Sequence, residues 1–435
     1  MPRETKQPTL EVAVARHLTL RLIPFLFLLY IVAYLDRINV GFAALQMRTQ
    51  LHFSDSVYGK GAGIFFIGYF FFQLPSNLVL ERVGARRWIA LLMVVWGIVS
   101  GCMIFVRTVP EFYTVRFLLG VAEAGFFPGV ILYLKRWFPA KARARTVASF
   151  VTASALSGVV GGPISGALLN MQNLGGLAGW QWLFLIEALP AVLLGTAVLF
   201  YLPNRPEDAH WLGEEKQAWL LAHLEEEKRN HPDAARSGGF SAFRNRDVWL
   251  LAYVYFGLNT VSYGLSLWLP SLIHSLSGLG NLALGVLVAI PYVAASILMI
   301  LVGRSSDRTG QHRWHVAIPA FLGALGLLAA AHSSSVAVSI FTMSIAVSAV
   351  NCMIGPMWAM PTTFLTGTAA ATGIALINSL ANLGGFFGPW IIGELRDLTG
   401  SYAGGLLAVG ATLGLAGGVV LLVRPHATLR PQAEE

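Results

Sequence analysis

Apolar positions in this chain gather into long runs separated by short polar turns, with no ten-residue alternation of the kind a membrane barrel strand shows. Runs of about 20 residues at 1.5 Å per residue match a hydrocarbon core of roughly 30 Å, so each predicts a helix that crosses a bilayer. Twelve such runs fall at 19–47, 58–80, 87–106, 110–134, 144–169 and 180–202, then at 247–276, 281–303, 314–332, 336–360, 367–395 and 402–424. Between the two sets, 203–246 is polar and acidic, with Glu207, Asp208, Glu214, Glu215, Glu225, Glu226 and Glu227. Trp211, Leu212, Trp219, Leu220 and Leu224 recur there at helical spacing, which predicts an amphipathic helix lying on the membrane face. A flexible stretch from His231-Pro232 to Gly238-Gly239 follows. The expected organisation is a six-helix bundle over 1–202, a connector over 203–246 and a second six-helix bundle over 247–435.

The two sets repeat each other. Glu81-Arg82-Val83-Gly84 recurs as Asp307-Arg308-Thr309-Gly310, and Gly162-Pro163 recurs as Gly388-Pro389, both at an offset of 226 residues. Two matches at one offset indicate a duplicated unit, and an even number of helices keeps the copies parallel in the membrane. The fold class expected is therefore an all-α membrane protein with twelve transmembrane helices in two pseudo-symmetric bundles and a pathway between them.

Composition agrees: 55% of the 435 residues are hydrophobic and only 12% charged, against about 25% charged in soluble domains. The net charge of +8 is spread over short loops, which is the signature of topology rather than of nucleic-acid binding. Placing the N-terminus inside puts Arg82, Arg86, Arg87, Lys135, Arg136, Lys141, Arg143, Arg145, Arg304, Arg308 and Arg313 on the cytoplasmic side. Arg48, Lys60, Arg107 and Arg396 are left opposite, so both termini are expected in the cytoplasm of a cell bounded by this (inner) membrane. Arg3, Lys6, Glu4 and Glu11 precede the first run without a short apolar core and cleavage site, so no removable signal is read. Cys102 and Cys352 lie in apolar runs as packing residues, and no metal site or cofactor is expected.

Ionised groups inside the runs are costly, and by default they mark a function. Asp36 and Arg37 lie in the first run, Arg116 and Glu123 in the fourth. Arg116 and Glu123 are seven residues apart, within about 20° of one face and roughly 10 Å apart along the axis, so they can serve one cavity. Asp36 and Arg37 point about 100° apart, so at least one is expected to reach a neighbouring helix. Forked guanidinium donors suit a carboxylate. A buried ion pair of purely structural use is the competing reading.

Small residues at Gly158, Gly162 and Gly166 with Pro163, and at Gly384 and Gly388 with Pro389, predict faces where helix backbones approach closely. Asn259, Tyr263, Trp358 and Asn378 are candidates for lining the pathway, with helix hydrogen bonds or packing as alternatives. Glu187, two turns into the sixth run, is assigned to a pairing near the outer interface. Gly59, Gly61 and Gly63 mimic a nucleotide-binding pattern, but no strand precedes them. No Walker sequence, HExxH or nucleophile elbow occurs, which argues against an ATP-driven pump or a hydrolase, and against an enzyme in general.

Gly303 with Asp307-Arg308 and Gly310 follows the G-x-x-x-D-R-x-G pattern found between helices 8 and 9 of the major facilitator superfamily, and Glu81 to Arg87 is its first-half copy, with Asn77 in place of glycine. The resemblance implies a loop latch in which Glu81, Arg82, Asp307 and Arg308 pair in one conformation and release in the other. Tyr34 to Gly41, Gly68-Tyr69 with Gln73-Leu74-Pro75, Arg116 to Gly125 and Asn382 to Gly385 resemble the anion:cation symporter branch, which includes tartrate, aromatic-acid and sugar-acid permeases. That resemblance implies Asp36 and Glu123 as proton-coupling carboxylates and Arg37, Arg116, Tyr69 and Asn382 as contacts to an organic anion. Sugar-acid members often carry a glutamine in the fifth helix, where this chain has Ser154 and Ser157.

The expected activity is proton-coupled uptake of a small organic carboxylate by alternating access, with the anion, protons and the lipid bilayer as partners and the monomer as the working unit. Two other classes compete. The Gly-x-x-x-Gly-Pro pattern of the fifth run resembles proton-coupled drug exporters, and a sensor could bind solute without moving it. Phe65, Phe66, Phe70, Phe71 and Phe72 fit an aromatic acid or packing against lipid.

Overall fold

The structure is a computed structural model and describes residues 10–138, 146, 153–230, 241–365 and 367–424. One bundle comprises α1 (Leu10–Leu51), α2 (Asp55–Val83), α3 (Ala85–Gly101), α4 (Val109–Glu123), α5 (Phe126–Trp137), α6 (Ala153–Leu168) and α7 (Gly179–Tyr201). A connecting helix, α8 (Glu214–Asn230), leads to the second bundle. That bundle holds α9 (Arg246–Ser277), α10 (Asn281–Thr309), α11 (His312–Ala331), α12 (Val336–Ala359), α13 (Gly367–Thr399) and α14 (Ala403–Val420).

Eleven helical stretches among the described residues are long and apolar enough to cross a membrane, α4 and α5 together forming one. The run expected at 144–169 appears as α6. Its earlier part lies outside the described residues, as do Lys141, Arg143, Arg145 and the segment from His231 to Gly239. Leu193, Phe200, Ile297 and Leu325 stand exposed on the outer helix faces, as side chains meeting lipid do.

Several helices outrun the apolar runs that predicted them, because polar side chains at a membrane edge continue the helix while reaching water. The latch residues show it: Glu81-Arg82 and Asp307-Arg308 occupy the last turns of α2 and α10 rather than loops. Each helix then stops at a glycine with positive φ, 89° at Gly84 and 67° at Gly310, where a side chain would be strained. The connector also differs from expectation. Leu220 of α8 is fully buried and Leu212 nearly so, and Trp211 packs against His17 and Trp137. The apolar side of the connector rests on the first bundle, not on lipid.

The bundles meet through bare backbone. A Cβ at Gly162 or Gly166 of α6 would strike the carbonyls of Gly285 or Asn281 on α10, and one at Gly59 or Gly63 of α2 would strike Pro389 or Phe386 of α13. Gly385 lies against the Phe66 ring, Gly393 against the Asp55 carbonyl and Gly41 of α1 against Leu267 of α9. Gly384 and Gly388 instead let α13 close on Phe256 and Thr260 of α9, inside the second bundle. The contacts between bundles gather toward the α1–α2 turn, where one apolar core runs through Phe42, Tyr58, Trp180 and Trp268 of both halves. At the other end, Glu81, Arg82, Asp307 and Arg308 are exposed and form no ion pair among the described residues. The molecule is sealed at the turn face and parted at the connector face.

Candidate functional site

The charges anticipated in the first and fourth spans sit in the interior of the first bundle. Arg37 crosses from α1 to α4, where its Nε donates to Glu123 Oε1 at 2.7 Å, with only 8% and 1% of the two side chains exposed. Asp36 turns the other way, accepting from Ser100 Oγ on α3 and from Asn39 Nδ2 at 3.2 Å. Arg116 is wholly buried and donates from Nη2 to the Ala62 carbonyl of α2 at 3.0 Å. Among the described residues it has no carboxylate within ion-pair distance, and its Nε and Nη1 have no acceptor. The Phe65 ring lies beneath both guanidiniums, 5.7 Å from Arg37 and 5.2 Å from Arg116, and Tyr69 lies 5.1 Å from Arg37. Ring faces of this kind stabilise cations where water is scarce.

The position of Glu123 follows from the residues after it. Proline at 128 has no N–H for the Ala124 carbonyl and its ring crowds that carbonyl, so the helix ends at Glu123 and restarts at Phe126. Gly125 fits the break because a Cβ there would strike Ser76 and the Trp88 indole. The carboxylate paired with Arg37 therefore sits on a helix end in mid-bundle.

The second bundle supplies an uncharged wall. Tyr263 of α9 packs on Phe66 at 4.2 Å, and Tyr30, Tyr69 and Tyr263 are the phenols that interact with Arg37. Asn382 on α13 is buried, its Nδ2 without a partner, one turn before Phe386, which packs into the first bundle. Asn259 spends its amide on the Ala381 carbonyl and so ties α9 to α13. Trp358 stacks edge-on against Tyr255, and Asn378 is half-buried. A small cavity opens between Tyr34 of α1 and Ser262, Ser266, Tyr292 and Asn351 of the second bundle. The Ser154 side chain lies outside the described residues, and Ser157 bonds to the Ala153 carbonyl of its own helix. Of the phenylalanines in α2, Phe65 and Phe66 are buried at the site, whereas Phe71 and Phe72 face outward.

Two groups escaped the sequence reading. Glu187 does not pair at the outer interface: it is 7% exposed, accepts from Ser165 Oγ at 2.8 Å and has no cationic partner among the described residues. The serine that bonds it comes from α6, a tertiary contact with no local signal. The second group rims the sealed face. Asp55 binds Arg48 and, at 2.9 Å, Arg396, while Asp397 accepts from the Asp55 and Ser56 backbone N–H groups at the start of α2. Glu394 takes Lys60 at 3.2 Å and the Ser56 hydroxyl. Arg48, Lys60 and Arg396 are three of the four basic residues left on the minority side by charge counting, and each has an acid beside it. Asp397 caps a helix N-terminus in the opposite bundle, where unpaired N–H groups and the helix dipole favour an anion. Among the described residues no group of three or more His, Cys, Asp or Glu side chains is arranged to hold a metal ion.

The fold and the sequence have counterparts in known proteins. A chain from Agrobacterium vitis that carries the provisional name of tartrate transporter is 52% identical over 420 residues, 95% of each chain. A quinolone resistance transporter of Acinetobacter baumannii is 39% identical over 396 residues, 91% of each chain. Among solved structures, a bacterial homologue of the human lysosomal transporter Spinster, in an inward-facing and unoccupied conformation, superposes with a TM-score of 0.78 at 17% identity, covering 94% of this chain and 97% of that one. The profile of the Major Facilitator Superfamily matches residues 26–389, and the chain is a member of that family of membrane transporters.

Proposed function

We propose that this transporter takes up a small organic carboxylate together with protons, and that a tartrate-like hydroxydicarboxylate is the first substrate to test. The observation that carries this reading is Arg116, buried beside the Arg37–Glu123 pair, with Nε and Nη1 lacking an acceptor among the described residues. A guanidinium fork of that kind matches a carboxylate in geometry and charge. Around the site, Arg37 and Arg116 are balanced by Asp36 and Glu123. A proton on Glu123 releases Arg37 and leaves the site cationic, ready for one substrate carboxylate. Tyr69 and Asn382 then offer hydrogen bonds from either bundle. With the termini in the cytoplasm, the parted face looks inward, and the charged rim and glycine seams close the outside. Reopening that side and closing the connector face would bring Glu81, Arg82, Asp307 and Arg308 into use as the latch.

The name of the Agrobacterium relative favours a dicarboxylate, and the name of the Acinetobacter relative favours a second reading, proton-driven export of a drug. Two buried guanidiniums argue against a cationic cargo. Uptake of labelled L-tartrate, an aromatic acid and a sugar acid into proteoliposomes under an inward proton gradient separates the readings. We expect accumulation of one of these acids in the wild type and none in Glu123→Gln. Efflux of lipophilic cations with no acid uptake would replace this reading by the exporter.

A further inference from the structure

Behind the Arg37–Glu123 pair lies a second polar cluster, made where α1, α3, α6 and α7 converge. Asp36 and Asn39 come from α1, Ser100 from α3, Ser165 from α6 and Glu187 from α7. All are buried, Asn39 and Ser100 completely. Gly97 and Gly101, on either side of Ser100, allow α3 to close on Ala188, next to Glu187. Asn39 donates to Asp36 and also adjoins Glu187, so one amide stands between two carboxyl groups.

The hydrogen-bond inventory of this cluster is short of protons. Its carboxyl and amide oxygens number five, two each on Asp36 and Glu187 and one on Asn39, while the donors number four, two N–H on the Asn39 amide and two serine hydroxyls. Asp36 Oδ2, Asn39 Oδ1 and Glu187 Oε2 are left with no donor. The charges are short in the same sense. Counting Glu123, three buried carboxyl groups face two guanidiniums, Arg37 is committed to Glu123, and no cation reaches Glu187. Arg116 on α4 is the stronger-acting cation at Asp36, with Arg37 second to it, and among the described residues Asp36 is the charged neighbour of Glu187. An uncompensated ionised carboxylate buried there costs several kcal/mol. A proton removes the excess charge and supplies a missing donor in one step.

We propose that Glu187 is a proton-binding residue of the transport cycle, holding one proton jointly with Asp36 through Asn39, at a place separate from the Arg37–Glu123 pair. The proposal rests on the reading of the chain as a proton-coupled carboxylate transporter and adds to it a site and a means of coupling. Arg116 links the two places. With its fork empty, its charge favours ionised Asp36. A substrate carboxylate seated on Arg116 takes up that charge, and the Asp36–Glu187 pair then gains its proton. Loss of the anion returns the guanidinium to Asp36 and drives the proton off. Binding of either partner favours the other by the same factor, as linkage requires of a symporter.

Infrared difference spectroscopy of the purified full-length protein in lipid nanodiscs, titrated with acid, reads protonated carboxyl groups directly and needs no substrate. We expect a protonated-carboxyl band that disappears in Glu187→Gln and moves in Asp36→Asn. We also expect Glu187→Gln to shift the pH midpoint of L-tartrate uptake by more than about one unit. Should Glu187→Gln fail to fold, Ser165→Ala, which deletes the donor to Glu187, is expected to move the same band. A spectrum with no band dependent on Glu187 or Ser165, or an unshifted pH profile, overturns the proposal and leaves carboxylate transport standing. Failure of the wild type to take up any acid in the panel overturns the transport reading instead, and the spectrum alone then decides whether the pair holds a proton.

Discussion

The two bundles are copies in backbone and opposites in charge. At the 226-residue offset, the end of α1 at Leu51 matches the end of α9 at Ser277, and the limits of α2, Asp55 and Val83, match those of α10, Asn281 and Thr309. The same offset sets Asp36 beside Ser262, Arg37 beside Tyr263, Arg116 beside Thr342 and Glu123 beside Ala349. Each of these four ionised positions is neutral in the other half. Charges that must find partners inside a low-dielectric bundle are thus kept within the first bundle, and among the described residues no buried ion pair crosses to the second. The neutral wall can still recognise a substrate, through groups such as Asn382 and Tyr263, without holding or releasing protons.

That contrast breaks most visibly if the charged half is damaged. Glu123→Ala leaves Arg37 buried without its partner and is expected to cost about 3 to 5 kcal/mol of stability. Adding Arg37→Ala should restore a large part, which thermal unfolding of single and double variants measures; full stability in the single variant would mean the pair does not hold as described. Arg116→Lys keeps the charge but loses the fork, and weakening of tartrate binding by about 10- to 100-fold is expected in calorimetry. Gly162→Val presses a side chain into the Gly285 carbonyl and is expected to disfavour the sealed arrangement by about 1 to 3 kcal/mol. Faster alkylation of a reporter introduced as Asn382→Cys by an impermeant reagent from the turn face would register it. Asn382→Ala, on the neutral side, should weaken binding by about 0.5 to 1.5 kcal/mol while leaving the pH profile unmoved. A changed profile there would end the division of labour. Asp397→Asn, on the exposed rim, is expected to shift the sealed state by no more than about 1 kcal/mol, and less in high salt.

Helix number, the repeat and the intramembrane charges were legible because apolar length and burial cost leave direct marks in a sequence. Asp36 and Arg37 diverge as adjacent helical positions must, one reaching α3 and the other α4. Partners contributed by other helices left no such mark. Glu187 looked like an interfacial acid because nothing near it in sequence announces Ser165 or Asn39. Arg48, Lys60 and Arg396 read as topology exceptions because Asp55 and Glu394 become their partners only when α2 and α13 meet. The latch acids were placed in loops because apolar length marks where lipid ends, whereas the glycines at 84 and 310 mark where the helix ends.

The glycine seams set the mechanical character of the moving contact. Where α2 meets α13 and α6 meets α10, backbone lies directly on backbone at Gly59, Gly162 and Gly166, with the Phe66 and Tyr292 rings set against Gly385 and Gly158. An interface of interlocking long side chains would have to freeze their rotamers at each closure, at up to about 2 kcal/mol apiece. This one works more like a pair of smooth bearings than a set of gears.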